Sequence, residues 1–192
     1  MTKVSQAVLI SEAIAGKVVS FPTDTVPALA VRPDKAGLVF TVKKRPQDKP
    51  LILMGASPEA LWSYVTGTPE ELKIWQQVAQ KYLPGALTLV LPASSCVPTA
   101  MNPADPTTIG VRVPNLKIAQ DILSQTGPLA TTSANLSGEP PLETMIAIEA
   151  AFPNVPTLDC NDKLGSGLAS TVAKWTGKGW QILRQGSIKE IL

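Results

Sequence analysis

Histidine is absent from this chain of 192 residues, which excludes histidine-ligated metal centres, imidazole general bases and serine–histidine–aspartate triads together. Any catalysis has to run on other groups. Aromatic residues are scarce, at 5%, so the core has to be aliphatic. The two cysteines, Cys96 and Cys160, lie far apart without metal or redox spacing. That usage suits a reducing compartment, and neither cysteine is given a role. No apolar run is long enough to span a bilayer, and residues 1–7 are polar with Lys3 as their cation, so a soluble, cytoplasmic protein without membrane association is expected. Internal repeats, low-complexity tracts and linkers are missing as well. So is the Gly-x-x-x-x-Gly-Lys-Ser/Thr loop with which many proteins cradle phosphates.

What is present is enough apolar material, 44% of residues, for one sizeable core and hence one domain over residues 1–192. The net charge of +2 is too small for a general polyanion binder, although a basic cleft can exist within a near-neutral total. Positive charge concentrates in Lys43-Lys44-Arg45-Pro46-Gln47-Asp48-Lys49-Pro50. Pro46 forbids helix continuation and pushes Arg45 toward extended backbone, so a helix over Asp34 to Lys44 is predicted to stop at these charges. In extended chain Lys43 and Arg45 would point to one side, an ammonium and a guanidinium fork facing a single anion such as a phosphate. The alternative is that helix C-termini collect cations to complement the macrodipole.

In chain order, a helix is predicted over Ala7 to Ala15 and a strand over Val18 to Phe21, broken by the polar turn Pro22-Thr23-Asp24-Thr25. Val26 to Val31 reads as a further short apolar segment and Leu51 to Met54 as a buried strand, while Pro58 to Val65 and Pro69 to Tyr82 have helical spacing. A strand over Leu87 to Leu91 precedes a loop, Ser94 to Pro106, whose composition predicts mobility beside a site. In the strand Thr108 to Pro114, alternation puts Thr108, Gly110 and Arg112 on one face. Arg112 within so apolar a strand is expected to meet a carboxylate or phosphate. A helix over Leu116 to Leu123 and a short strand over Pro128 to Ala130 lead into Thr131-Thr132-Ser133-Ala134-Asn135-Leu136-Ser137-Gly138. That run reads either as a solvated loop or as a cradle of hydroxyl, amide and backbone donors around an anion. A helix over Glu143 to Ala151, a strand at Thr157-Leu158, a glycine-rich turn over residues 163–167, and strands over Ser170 to Lys174 and Trp180 to Arg184 complete the reading.

Phe21-Pro22-Thr23-Asp24-Thr25-Val26, Lys43-Lys44-Arg45-Pro46, Lys49-Pro50-Leu51, Pro84-Gly85 with Leu87-Thr88-Leu89, Thr108 to Pro114, Thr132 to Gly138, Ser170-Thr171-Val172 and Leu183-Arg184-Gln185-Gly186 resemble, in that order, the YrdC/Sua5 family of threonylcarbamoyl-AMP synthases. The resemblance runs from about Leu9 to Ile188 and implies the short, single-domain YrdC type: an α/β domain with a twisted mixed sheet, flanking helices and a basic concave face. The implied activity is that of a nucleotidyltransferase condensing L-threonine, bicarbonate and ATP to threonylcarbamoyl-AMP and pyrophosphate, toward N6-threonylcarbamoyladenosine in tRNA. The family's Lys-x-Arg and Ser-x-Asn signature falls on Lys43, Arg45, Ser133 and Asn135, the implied catalytic set. Nucleotide contacts are implied for these four with Thr108 and Arg184, and amino-acid contacts for Thr23, Thr25, Arg112, Thr131 and Ser170. Mg2+ is expected to accompany ATP, with no ligands assigned to it. Two departures, Pro27-Ala28 for Tyr-Gly and Pro84-Gly85-Ala86 for Pro-Gly-Pro, touch the pocket wall. Further implied partners are tRNA or double-stranded RNA and the proteins that transfer the threonylcarbamoyl group to tRNA. The competing readings are an RNA-binding module of this fold and a YciO-like or carbamoyl-transfer relative without the activity.

Overall fold

A computed structural model describes residues 2–160 and 165–191. Its elements in chain order are β1 (Lys3–Val4), α1 (Gln6–Ile14), β2 (Val19–Phe21), β3 (Ala28–Val31), α2 (Gly37–Lys43), β4 (Ile52–Met54), α3 (Pro69–Tyr82), β5 (Leu87–Pro92), β6 (Thr108–Arg112), α4 (Lys117–Thr126), β7 (Leu129–Ser133), α5 (Met145–Ala151), β8 (Thr157–Leu158), β9 (Thr171–Trp175) and β10 (Trp180–Arg184). The strands join in one mixed sheet, ordered β1-β8-β2-β3-β7-β4-β6-β5-β9-β10. Few neighbours in the sheet are neighbours in the chain. Parallel pairs (β4 with β6, β5 with β9) alternate with antiparallel ones (β4 with β7, β5 with β6).

Strand periodicity sorts the two faces. One row across the sheet runs Ala130, Leu53, Val111, Leu89 and Ala173. All five are buried, in one core with Leu9, Val39, Trp75, Ile122 and Ile148 from the helices. The adjacent row, Thr131, Ile52, Gly110, Val90 and Lys174, points the other way and floors an open cleft of about 570 Å³. Gly110 keeps this floor low: a Cβ there would lie 2.8 Å from Ile52 Cγ2 and 3.3 Å from Thr88 Cγ2.

Local signals place the best-defined helices. Thr68 and Glu71 form a reciprocal capping box ahead of Pro69, which starts α3 at the expected residue. Glu71 also accepts from Trp175 Nε1 at 2.8 Å, tying that helix to β9. Ser5 and Thr144 cap α1 and α5 by accepting from Val8 N and Ala147 N. Gly16, at φ 84°, follows the last turn of α1.

Three expectations need correction. The helix over Asp34 to Lys44 divides into a 3-10 turn, Pro33–Lys35, and α2. Lys44, at φ 50° and ψ 41°, ends α2 in left-handed backbone before Pro46 can act. Pro58 to Val65 holds only a 3-10 turn at Trp62–Tyr64, because no side chain caps it and Val65 turns extended to bridge Ala93. Ser94 to Pro106 is anchored: its 3-10 turn Thr99–Met101 buries Met101 completely, and the Met101 carbonyl accepts from Leu51 N at 2.8 Å. Strand β1 carried no signal, since two residues are too few for a period. The predicted turn over 163–167 lies partly outside the described residues; within it, the Gly165 Cα passes so close to the backbone that a Cβ would meet Thr25 O at 2.3 Å.

Candidate active site

The cleft lies over β7, β4, β6, β5 and β9, walled by the 45–50 loop, the 102–105 segment, the turn before β3 and the approach to β9. Five cationic side chains line it, Arg45, Lys49, Arg112, Lys174 and Arg184, against the carboxylates of Asp48 and Asp105. In a chain of net charge +2, the positive excess is gathered in one concavity. Such a cleft focuses its field on an anion.

Lys43 and Arg45 do not sit side by side. Left-handed Lys44 separates them, and Lys43 ends α2 with its side chain at the end of β7, 1% exposed. Its ammonium donates to Ser133 O at 2.6 Å and Asn135 Oδ1 at 3.0 Å, with Ser133 Oγ and Thr132 Oγ1 at 3.5 and 3.4 Å. Burial, then the charges of Arg45 and Lys49, push its pKa down to about 7, while the surrounding oxygens favour the charged form. Arg45 turns to the cleft and spans its own loop, Nε donating to Lys49 O and Nη2 to Pro50 O, each at 3.0 Å. Burial pulls its pKa below the ordinary value, opposed by Asp48.

Asn135 is a hub. Its Oδ1 accepts from Lys43 and from Ser133 Oγ at 2.6 Å, and its Nδ2 donates to Leu136 O at 2.8 Å and Glu139 O at 2.7 Å. Both amide protons are therefore committed within the chain. The direct donation to a phosphate expected of Asn135 is not available in this arrangement; Ser133 is the member of the pair that lines the cleft.

Arg112, 3% exposed, points into the cleft as alternation predicted. Nε donates to Gly85 O at 3.2 Å, Nη1 to Thr25 Oγ1 at 2.7 Å and Nη2 to Asp24 Oδ1 at 2.6 Å. Burial lowers its pKa, with the Asp24 charge opposing. Thr23 stands behind, its hydroxyl donating to Val26 O at 2.7 Å and 3.0 Å from Thr25 Oγ1. Thr25 lines the cleft; Thr23 does not.

At the far wall Arg184 donates from Nε to Ser170 O at 3.1 Å and from Nη2 to Ser170 Oγ at 3.3 Å. Ser170 Oγ lies 2.8 Å from Thr88 Oγ1. Thr108 Oγ1 donates to Asp105 Oδ2 at 3.2 Å and accepts from Asn102 Nδ2 at 3.1 Å. Thr131 Oγ1 donates to Ile52 O at 3.3 Å. The cleft thus gathers Thr25, Arg45, Thr108, Arg112, Thr131, Ser133, Ser170 and Arg184, while Lys43, Thr23 and Asn135 support its wall from behind.

Lys49, Thr88, Asn102, Asp105 and Lys174 also line the cleft and were not singled out as site residues. Alternation along β9 puts Lys174 on the face of Val172, a signal the sequence offered; Asn102 and Asp105 lie in an aperiodic loop and offered none. Among the described residues no three carboxylates or cysteines gather as a metal cage. Asp48 and Asp105 on the wall fit the commoner mode for Mg2+, in which one or two carboxylates and substrate phosphates share the ion.

The model of the Sua5/YciO/YrdC family, described as "Telomere recombination", matches residues 13–186. A threonylcarbamoyl-AMP synthase of Pyrococcus abyssi is 34% identical over 178 residues, covering 90% of this chain and 51% of that protein. This chain thus spans about half the length of that relative. A Vibrio cholerae protein of the same name is 32% identical over 175 residues, covering 89% of this chain and 92% of its own. Among solved structures, P. abyssi Sua5 complexed with L-threonine superposes with a TM-score of 0.85 at 31% identity, covering 94% of this chain and 54% of that one.

Proposed function

Because the chain belongs to the Sua5/YciO/YrdC family, we propose that it is a threonylcarbamoyl-AMP synthase, residues 1–192 acting as one YrdC-like domain on L-threonine, bicarbonate and ATP. The observation that carries this reading is one cleft holding two separately mounted cation sets. Arg45 and Lys49 rise from the 45–50 loop, and Arg112 stands on β6 beside Thr25. That arrangement suits a reaction joining two anions.

The chemistry asks for no protein nucleophile. The threonine amine adds to carbon dioxide with loss of a proton, or to bicarbonate with loss of water, to form a carbamate; a carbamate oxygen attacks the α-phosphorus of ATP; the bond from that phosphorus to the oxygen bridging to the β-phosphate breaks and pyrophosphate leaves. The barrier lies in bringing anions together and stabilising charge on the leaving group, which positioning and fixed cations lower. ATP lies against Arg45, Ser133, Thr108 and Arg184, with its Mg2+ arriving as part of the substrate. Lys43 contributes its charge from behind the wall, and Asn135 fixes Lys43 and Ser133. The threonine carboxylate meets Arg112, with Thr25, Thr131 and Ser170 around the amino acid and Thr23 bracing Thr25.

The product is a substrate for proteins that modify tRNA. Direct RNA binding is the weaker reading: Arg45, Arg112 and Arg184 are each bonded within the chain, whereas a duplex backbone is met by mobile surface cations and gives a steep salt dependence. Incubation with ATP, bicarbonate and each amino acid in turn should release pyrophosphate with L-threonine in preference to others. Equal release with all amino acids, or none with any, refutes the assignment.

A further inference from the structure

Arg112 is the cleft cation whose orientation is fixed most completely from outside the cleft. A guanidinium has five N–H donors; three of those on Arg112 are taken, by Gly85 O, Thr25 Oγ1 and Asp24 Oδ1. Two remain, one on each terminal nitrogen, on a side chain that lines the cleft. Asp24 does not line it. Its side chain is 15% exposed, that of Arg112 4%, and their Oδ1 to Nη2 distance of 2.6 Å is the shortest of the three contacts. The other two partners are neutral. Asp24 alone neutralises this buried cation, its contact completes the three that fix the rotation of the plane, and its own turn is held by Ser166 N donating to Asp24 O at 3.0 Å.

We propose that Asp24 is a positioning residue for the amino-acid substrate: acting through Arg112, it aims the two unused guanidinium N–H donors at the incoming carboxylate. The inference rests on the assignment of Arg112 to the threonine carboxylate. Without the Asp24 carboxylate, the guanidinium keeps two neutral partners and loses the charge-assisted contact that sets its angle. A planar, bidentate contact depends on that angle more than a point charge would. The consequence falls on threonine more than on the nucleotide, whose cationic ligands, Arg45 and Arg184, lie on other segments of the chain.

The test measures KM for L-threonine and for ATP, and kcat, by pyrophosphate release in wild type, Asp24→Ala, Asp24→Asn, Arg112→Leu and the double variant Asp24→Ala/Arg112→Leu. Asp24→Ala should raise KM for threonine about tenfold or more with KM for ATP within about twofold. Asp24→Asn keeps an oxygen acceptor and should recover most of the loss. The double variant should be no worse than Arg112→Leu, because Asp24 acts only through that residue. Equal changes in both KM values, or a double variant worse than Arg112→Leu, overturns the proposal. If Asp24→Ala does not fold, Asp24→Ser, too short to reach Arg112, decides: a rise in KM confined to threonine supports the proposal, and wild-type KM values with lowered thermal stability overturn it. If Arg112→Leu itself binds threonine normally, it is the assignment of Arg112 that fails.

Discussion

The Lys43 ammonium lies 2.6 Å from the carbonyl oxygen of Ser133, ninety positions further along the chain. That contact locks the end of α2 to the end of β7, and it joins the two halves of the sequence signature without either half announcing the other. The lysine reaches the strand from the helix side, so its charge is buried below the cleft wall.

This burial predicts a pH signature. In the unfolded chain Lys43 holds its proton up to its ordinary pKa of 10.5, whereas in the fold it releases it near 7. Between those values the unfolded state binds more protons, so the contribution of this group to stability rises with pH from about 7 to 10.5 and is most unfavourable below 7. Urea denaturation of wild type and Lys43→Met from about pH 6 to 10 should give a stability difference that shifts toward wild type as pH rises. A pH-independent difference refutes the assignment of this titration to Lys43. Nucleotide affinity should fall around pH 7, where the ammonium of the folded protein loses its charge.

Gly110 sets the height of the cleft floor. Gly110→Ala places a methyl 2.8 Å from Ile52 Cγ2 and 3.3 Å from Thr88 Cγ2, so the Ile52 side chain or the strand that carries it has to give way. Overpacking of this kind typically costs about 1–3 kcal/mol, read as a lowered denaturant midpoint, and both substrate KM values should rise. An unchanged midpoint with unchanged KM values shows that the floor yields without cost.

The 94–106 segment is divided by its anchor. Met101→Ala removes a fully buried side chain and should cost about 2–5 kcal/mol. In wild type, hydrogen exchange at Met101 and Asn102 should be slow without ligands, since their amides donate to Pro98 O and Thr99 O. The amides of Asp105 and Thr107 donate only to side-chain oxygens, each at 3.3 Å, so exchange at Ala104, Asp105 and Thr107 should be faster than at Met101 and should slow further when threonine and ATP are both present. Slowing along the whole segment, or nowhere in it, contradicts this division.

Short-range physics was legible in the sequence wherever a period or a cap was complete. Alternation placed Thr108, Gly110 and Arg112 on one face of β6, the face that lines the cleft, and helical spacing placed α3 over Pro69 to Tyr82. The basic loop and the polar run after β7 were recognisable as site material because so many charged and hydroxyl groups have no place in an aliphatic core. Composition also excluded histidine chemistry outright.

What the tertiary structure alone decided is which of these groups meet. Left-handed Lys44 sends Lys43 and Arg45 to different sides of the wall. Asn135 spends its donors on Leu136 and Glu139, and Asp24 finds Arg112 eighty-eight positions away. Strand order is the physical reason: β4 lies between β7 and β6, and β5 between β6 and β9, so the cleft is assembled from strands distant in sequence. Periodicity reports which face a side chain takes, but partners across a sheet are set by which strands neighbour, and that is fixed only when the whole core packs.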